Sequence, residues 1–130
     1  MRRRLSNPTW TQSTSGCSVN FSRVALAPNN CGFTTITWNN STGKLTHAEV
    51  EYNTNKSYPT SGSSGGCNFH WTTLHEFGHS QGLRHSKVST AVMYKFNNGA
   101  GSYQPDDKSS ISCSYQSPTN PWCINNSDPA

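Results

Sequence analysis

The chain has 130 residues, of which only 31% are hydrophobic and 12% charged, with a net charge of +4 at pH 7. This length suits a single small domain, and so few apolar residues predict a thin core that depends on staples such as disulfides or a bound metal. Residues 2–4 supply three of the positive charges, and the chain has neither a basic stripe with interleaved aromatics nor an apolar run of roughly 18–20 residues, so nucleic-acid binding and a membrane span are not expected.

The N-terminal stretch has no clear periodicity and predicts an irregular arm, residues 1–16, with Trp10 as its anchor. Residues 1–5 carry the positive charge that opens a signal peptide, but residues 6–15 are polar where its apolar segment should follow. No secretion signal is therefore visible in this stretch.

Three β-strands are predicted after this arm. Val19–Val24 alternates apolar and polar residues, residues 33–38 are β-branched and aromatic, and Leu45–Asn53 alternates again. Asparagine, proline and glycine between these segments predict turns. A Ser/Gly-rich stretch at residues 57–66 then predicts a loop.

A helix with metal-ligand spacing is predicted next, with Asn68 as its N-cap. His75 and His79 are four residues apart, so they lie on one helix face, about 6 Å apart along the axis, and can reach one ion. Gly82 can adopt the left-handed conformation that ends a helix, and the chain can then return His85 as a third nitrogen ligand. Three histidines leave the fourth position of a tetrahedral zinc ion open to water, as in catalytic sites.

Glu76 directly follows the first of these histidines, which is the position of the general base in metalloprotease helices. By itself, a His-Glu-x-x-His pattern also occurs in ordinary helices with surface histidines. The glycine, the third histidine and the methionine at a suitable distance, Met93, make the metal-site interpretation the stronger one.

Residues 75–86 read His-Glu-Phe-Gly-His-Ser-Gln-Gly-Leu-Arg-His-Ser and resemble the long zinc-binding consensus of the metzincins. The final serine is similar to the matrixin branch of that family. Residues 90–94 resemble its Met-turn, and residues 106–111 with Tyr115 resemble the opening of its C-terminal helix. The resemblance is strong over residues 72–115, weak over residues 33–53 and absent elsewhere.

The resemblance implies an α+β fold: a small metzincin-like domain with a twisted sheet of about three to four strands packed on the active-site helix, then the Met-turn and a C-terminal helix. The catalytic domain is expected at residues 17–116 and a C-terminal tail at residues 117–130. Matrixins have a strand and a long helix before the matched region, so this domain is expected to be truncated on its N-terminal side. The edge strand that aligns substrate is expected at Leu45–Asn53, or to be absent.

Four residues are implied to support the site. Met93 would form an apolar floor beneath the metal, and Gly82 would turn the chain toward His85. Asp106 is expected to cap the final helix, and Asp107 to hydrogen-bond toward the Met-turn. A solvated acidic first turn is the alternative for Asp107.

The implied function is a zinc-dependent endopeptidase with one catalytic Zn2+, bound by His75, His79 and His85, in which Glu76 activates the attacking water. Its partner would be a peptide or protein substrate, and a monomer is expected. Two alternatives stay open: a truncated, non-catalytic module that zinc only stabilises, and a secreted recognition module whose histidine motif is coincidental. Calcium is left open as an additional ion, although no acidic loop demands it.

Five cysteines in a small polar chain indicate disulfides and a secreted, extracellular location. They are Cys17, Cys31, Cys67, Cys113 and Cys123. Proximity in the sequence favours the pairs Cys17–Cys31 and Cys113–Cys123, which leaves Cys67, but spacing alone does not determine pairing.

The chain departs from the family pattern at two further points. Lys95 stands where matrixins have proline. His47 and His70 would suggest the second, structural zinc of animal matrixins, but the accompanying aspartates are lacking. Ordinary polar or surface histidines are therefore the stronger interpretation of these two.

Overall fold

The computed structural model describes residues 18–41, 45–59, 67–116 and 127–128. Seven elements lie in these ranges: β1 (Val19–Val24), β2 (Gly32–Trp38), β3 (Leu45–Asn53), α1 (Phe69–Ser80), β4 (His85–Ser86), α2 (Pro105–Gln116) and β5 (Ser127–Asp128). The three predicted strands, both predicted helices and the α+β class are confirmed. The expected N-terminal arm and most of residues 117–130 lie outside the described residues. Within the described ranges, no helix is long and apolar enough to cross a membrane.

The three long strands form one sheet in the order β1–β3–β2. β3 pairs in parallel with β1 and antiparallel with β2, so it is the central strand, and the expectation that Leu45–Asn53 forms the edge is wrong. Ala48, Val50 and Tyr52 on the inner face of β3 are buried. A strand with such an apolar face is more stable in the centre of a sheet, where it has a neighbouring strand on each side, than at an edge. Among the described strands, β2 forms the edge opposite β1.

Helix α1 packs across the inner face of this sheet. Phe77 of the helix stacks with Phe21 of β1, with ring centroids 6.4 Å apart, and Phe69 stacks with Tyr52 of β3 at 5.6 Å. Aromatic pairs of this kind contribute about 0.5–1.5 kcal/mol each beyond the area that they bury. These contacts therefore fix the position of the helix, and of the residues it carries, relative to the sheet.

The two ends of α1 are where the sequence predicts them. Asn68 is the N-cap, and its side-chain oxygen accepts a hydrogen bond of 2.9 Å from the backbone N–H of Trp71. After the helix, Gly82 has a φ of 87°, and its N–H donates to the carbonyl of His79. This left-handed turn ends the helix and reverses the chain into β4, where Ser86 N–H donates to the carbonyl of Met93 at 2.8 Å.

A disulfide joins Cys31 to Cys67, with Cα atoms 5.4 Å apart. The predicted pair Cys17–Cys31 is therefore wrong, and Cys67 is not the unpaired cysteine. Proximity in the sequence predicted the wrong partner because the fold brings distant residues together. Cys31 directly precedes β2 and Cys67 directly precedes the N-cap of α1, and the packing of α1 on the sheet places them side by side across 36 residues. The predicted pair Cys113–Cys123 lies outside the described side chains.

Asn53, at the end of β3, is fully buried and organises the connection between β1 and β2. Its side-chain amide donates to the carbonyls of Ala27 and Asn30 at 3.0 and 2.9 Å, and its side-chain oxygen accepts from the N–H of Leu26. The hydroxyl of Tyr58 donates to the carbonyl of Cys31 in the same connection. Because buried polar groups need partners, this network holds the entry to β2 in one conformation.

Candidate metal centre

The side chains of His75, His79 and His85 converge at the C-terminal half of α1. Their ring centroids are 4.8 to 5.2 Å apart, and one nitrogen from each ring lies within 4.8 Å of the other two. Nε2 of His75 and Nε2 of His79 are 3.2 Å apart. Two ligands of a tetrahedral zinc ion, each at about 2.0–2.1 Å, are about 3.3 Å from one another. The spacing of His75 and His79 therefore fits two ligands of one zinc ion, and a nitrogen of His85 lies within 4.8 Å of both.

Backbone carbonyls orient two of the three imidazoles. Nδ1 of His75 lies 2.7 Å from the carbonyl of Val92, and Nδ1 of His79 lies 2.7 Å from the carbonyl of Leu83. A carbonyl only accepts, so each Nδ1 carries the proton and each Nε2 keeps its lone pair. Such partners are the usual outer shell of metal-bound histidines, because they determine the tautomer and the ring orientation.

The electrostatics of the cluster keep these two histidines neutral. Burial lowers the pKa of His75 to about 3, with a further decrease from the neighbouring His79. Burial also lowers the pKa of His79 to about 4. Since only a neutral imidazole binds a metal, both rings are in the ligating form at neutral pH without any loss of protons.

Glu76 is buried beside the cluster, on the side that faces the sheet. Burial raises the pKa of its carboxyl to about 7, and the hydrogen bond from Thr34 partly opposes this increase. The Thr34 hydroxyl donates to Oε2 of Glu76 at 2.6 Å and also lies 3.1 Å from the Glu76 backbone carbonyl. A carboxyl with such a pKa can both accept and return a proton near neutral pH.

Met93 is buried, with 2% of its surface exposed, and packs against Gly78 of α1. Gly78 of α1 faces it so closely that a Cβ atom at this position would overlap the Met93 sulfur. The backbone N–H groups of Val92 and Met93 donate to the two carboxylate oxygens of Asp107, at 2.8 and 2.9 Å. Asp107 is fully buried, rather than solvated on the surface of the helix.

Asp106 does not cap α2, because the helix begins one residue earlier, at Pro105. Its Oδ2 instead accepts a hydrogen bond of 2.5 Å from the Ser86 hydroxyl. The same Ser86 oxygen accepts from the N–H of Val88 at 3.0 Å. Asp106 thus connects α2 to the residue that directly follows His85.

The cluster opens into a cavity of about 1020 Å3. The inner face of the edge strand β2 runs along it through Gly32, Thr34 and Ile36, and residues 82–85 and 95–97 also line it. His75, Glu76, His79 and His85 all contribute to its wall. A cavity of this kind, with a strand along it and a three-nitrogen site in its wall, has room for an extended chain.

Comparison with known proteins identifies the family. The sequence profile described as Matrixin matches residues 9–116. The chain belongs to the matrixin family.

Two relatives of this matrixin carry names of the same kind. A protein of Spodoptera frugiperda ascovirus 1a named "Putative matrix metalloproteinase" is 40% identical over 62 residues, which cover 43% of this chain and 16% of that protein. Mouse (Mus musculus) "Matrilysin" is 54% identical over 37 residues, which cover 28% of this chain and 14% of that protein. The matched part thus spans only about a sixth or a seventh of each relative's length. No solved structure matches.

His47 and His70 take no part in the metal cluster of this matrixin. Nε2 of His47 lies 2.6 Å from the carboxylate of Glu49, and Nε2 of His70 lies 2.7 Å from the carbonyl of Gly101. Among the described residues, the one group of three or more potential metal ligands is His75, His79 and His85. A second zinc at His47 and His70 therefore gains no support.

Thr34 and Gly32 are the site residues that sequence reasoning missed. Both appear in the sequence only as members of a predicted strand or its boundary. Their spacing of two residues indicates that they lie on the same face of the strand, because alternate residues of a strand share a face. Which strand would face Glu76 depends on the order of strands in the sheet, which the sequence pattern does not contain.

Proposed function

We propose that this matrixin is a zinc-dependent endopeptidase that hydrolyses peptide bonds with an activated water. The observation that carries the proposal is the convergence of His75, His79 and His85 beside the buried carboxyl of Glu76. The donor set fits zinc, since three imidazole nitrogens with carbonyl-bound Nδ1 atoms form an open site. When bound there, zinc would supply Lewis-acid chemistry by acidifying water and polarising a carbonyl.

The protein's own residues would perform the proton transfers. Glu76 would take the proton of the attacking water and pass it to the leaving amine, so no covalent intermediate with the protein is needed. In the metal-free chain, burial raises the pKa of this carboxyl to about 7. His75 and His79 would stay neutral throughout, because burial keeps their pKa values at about 3 and 4.

The substrate would bind as an extended peptide along β2. This strand pairs with β3 on one side and lines the cavity with its inner-face residues, so a peptide can add itself to the sheet by backbone hydrogen bonds. The Cys31–Cys67 disulfide, next to this strand, favours an oxidising and extracellular setting. We further propose one zinc ion per chain and a monomeric protein.

The test compares wild-type protein with Glu76→Gln and with Glu51→Gln, a matched change on β3 outside the cavity. Cleavage of casein and of a mixed peptide library is measured with and without a chelator, together with zinc content. We expect one zinc per chain in all three proteins and cleavage by all except Glu76→Gln. Retained cleavage by Glu76→Gln would contradict the mechanism.

The same experiment separates the alternatives. Bound zinc without cleavage by the wild-type protein would support a non-catalytic module that zinc stabilises. Purified protein without stoichiometric zinc would support a recognition module with a coincidental histidine motif.

A further inference from the structure

Two residues of β2 lie directly against the side chain of Glu76. The Thr34 hydroxyl donates to Oε2 at 2.6 Å and reaches the Glu76 backbone carbonyl at 3.1 Å. At Gly32, two residues earlier on the same face, an added Cβ atom would lie only 2.7 Å from Glu76 Cγ and 2.9 Å from Oε1. The Glu76 side chain therefore occupies the space that the glycine leaves and is bonded to the threonine beside it.

We propose that Gly32 and Thr34 are positioning residues for the general base, an inference that rests on the proposed endopeptidase function. A glutamate side chain has three rotatable bonds, so a carboxylate on α1 without support would populate several rotamers. The Thr34 hydroxyl holds Oε2, and the gap at Gly32 admits the Cγ atom and Oε1. Together they select one position of the carboxylate beside the histidines.

The contact of the Thr34 hydroxyl with the Glu76 backbone carbonyl adds a second constraint. Because Thr34 contacts both the carboxylate and the main chain of Glu76, it sets the distance between β2 and α1 as well as the rotamer. The bond fixes Oε2, while Oε1 packs against Gly32.

The consequence is a coupling between substrate binding and catalysis. The strand along which the peptide is proposed to bind is the same strand that holds the base. A peptide that pairs with β2 would therefore have its scissile bond at a defined distance from Glu76, because the β2 strand positions both the peptide and the Glu76 side chain. A displacement of the reacting groups by about 1 Å can lower the reaction rate about 100-fold. Positioning of both groups by one strand therefore has a large effect on the rate.

The test uses the isosteric variant Thr34→Val, which removes the hydroxyl, and Thr34→Ser, which keeps it. Thr54→Val is the control, because Thr54 is exposed just after β3 and does not line the cavity. We expect Thr34→Val to lower kcat about 10- to 100-fold while KM changes less than about threefold and zinc content stays at one per chain. Thr34→Ser is expected to restore kcat to within about threefold of wild type, and Thr54→Val to leave both parameters unchanged.

A readout independent of activity is the Glu76 conformation in crystals of the wild-type protein and of Thr34→Val, each with and without zinc. One rotamer is expected in the wild type and two or more, or a different one, in Thr34→Val. An unchanged Glu76 rotamer in Thr34→Val, unchanged kcat, or an equal loss in Thr34→Ser would overturn the positioning role. Failure of the proposed function would give a different result. The wild-type protein would not cleave peptides, while the Glu76 rotamer would still change in Thr34→Val.

Gly32→Ala tests the second contact through a double-mutant cycle. Alone it is expected to displace Glu76 and lower kcat at least tenfold, since the added methyl would overlap Glu76 Cγ. Gly32→Ala is also expected to lower the melting temperature of the wild-type protein, but to cause no further loss of thermal stability when combined with Glu76→Ala, which removes the carboxylate and opens space. Equal losses in the two backgrounds would contradict a contact through Glu76.

Discussion

The carboxylate of Asp107 accepts a hydrogen bond of 2.9 Å from the backbone N–H of Met93, which connects the first turn of α2 to a buried residue that packs against α1. Its other oxygen accepts from Val92 N–H and from Gln104 N–H, both at 2.8 Å. The carbonyl of Val92 in turn orients His75. One buried carboxylate therefore links the C-terminal helix, the backbone at Val92 and Met93, and a proposed zinc ligand.

Asp107→Ala is expected to lower the free energy of unfolding by about 3 kcal/mol or more, because three backbone N–H groups lose a charged acceptor at a buried position. Zinc affinity is expected to fall about 10- to 100-fold, as for other losses of outer-shell support. Urea denaturation and zinc titration measure the two effects. Lys108→Ala, at an exposed position in the same turn, is the control, and an equal effect of both variants would contradict the link.

Gly78→Ala is expected to destabilise the fold by about 1–3 kcal/mol, since its methyl would overlap the sulfur of Met93 and overpack the buried contact between the two residues. The change should be smaller in a Met93→Ala background, where the sulfur is absent and a cavity receives the methyl. Thermal or urea unfolding of the four proteins of this cycle gives the coupling energy. Additive losses of stability in the double variant would mean that the added methyl does not act through Met93.

Removal of the disulfide by Cys31→Ala with Cys67→Ala is expected to lower the free energy of unfolding by about 3–4 kcal/mol, because the bond closes a loop across 36 residues. Substitution is preferable to reduction, since thiol reductants also bind zinc. The loss is measured by urea denaturation of the zinc-loaded protein. A loss below about 1 kcal/mol would mean that the network around Asn53 already holds the entry to β2.

In metal-free protein, stability should depend on pH through the buried histidines. The pKa of His75 is about 3 and that of His79 about 4 in the folded chain, whereas an unfolded histidine titrates at about 6.5. Between these values the unfolded chain binds more protons, so stability falls as the pH decreases from about 6.5 toward 4. The Glu76 carboxyl has the opposite effect on stability between pH 4.5 and about 7, because its raised pKa makes the folded chain bind a proton more readily than the unfolded chain.

The net expectation is a decrease in stability on acidification, since two histidines outweigh one carboxyl. Melting temperatures of chelator-treated protein at pH 7, 5.5 and 4.5 measure it. Glu76→Gln lacks the opposing group and should show the steeper decrease. A melting temperature that rises toward pH 5 in both proteins would contradict burial of the neutral histidines.

Much of the site follows from short-range patterns. The four-residue spacing of His75 and His79, the capping by Asn68 and the left-handed Gly82 are each determined within one or two turns of chain. Strand periodicity likewise predicted β1 and β3 to the residue and β2 to within one residue. Helical and extended geometry repeat over such short distances that a few neighbouring side chains are enough to specify them.

What the sequence by itself determined was therefore the local elements and the ligand pattern. Only the tertiary structure decided that Cys31 pairs with Cys67, that β3 is central, that Asp106 bonds Ser86 and that Thr34 meets Glu76. Each of these contacts joins segments at least 20 residues apart, or depends on the order of strands in the sheet. Such contacts result from how the elements bury their apolar faces together, a property of the whole domain that no single stretch of residues encodes.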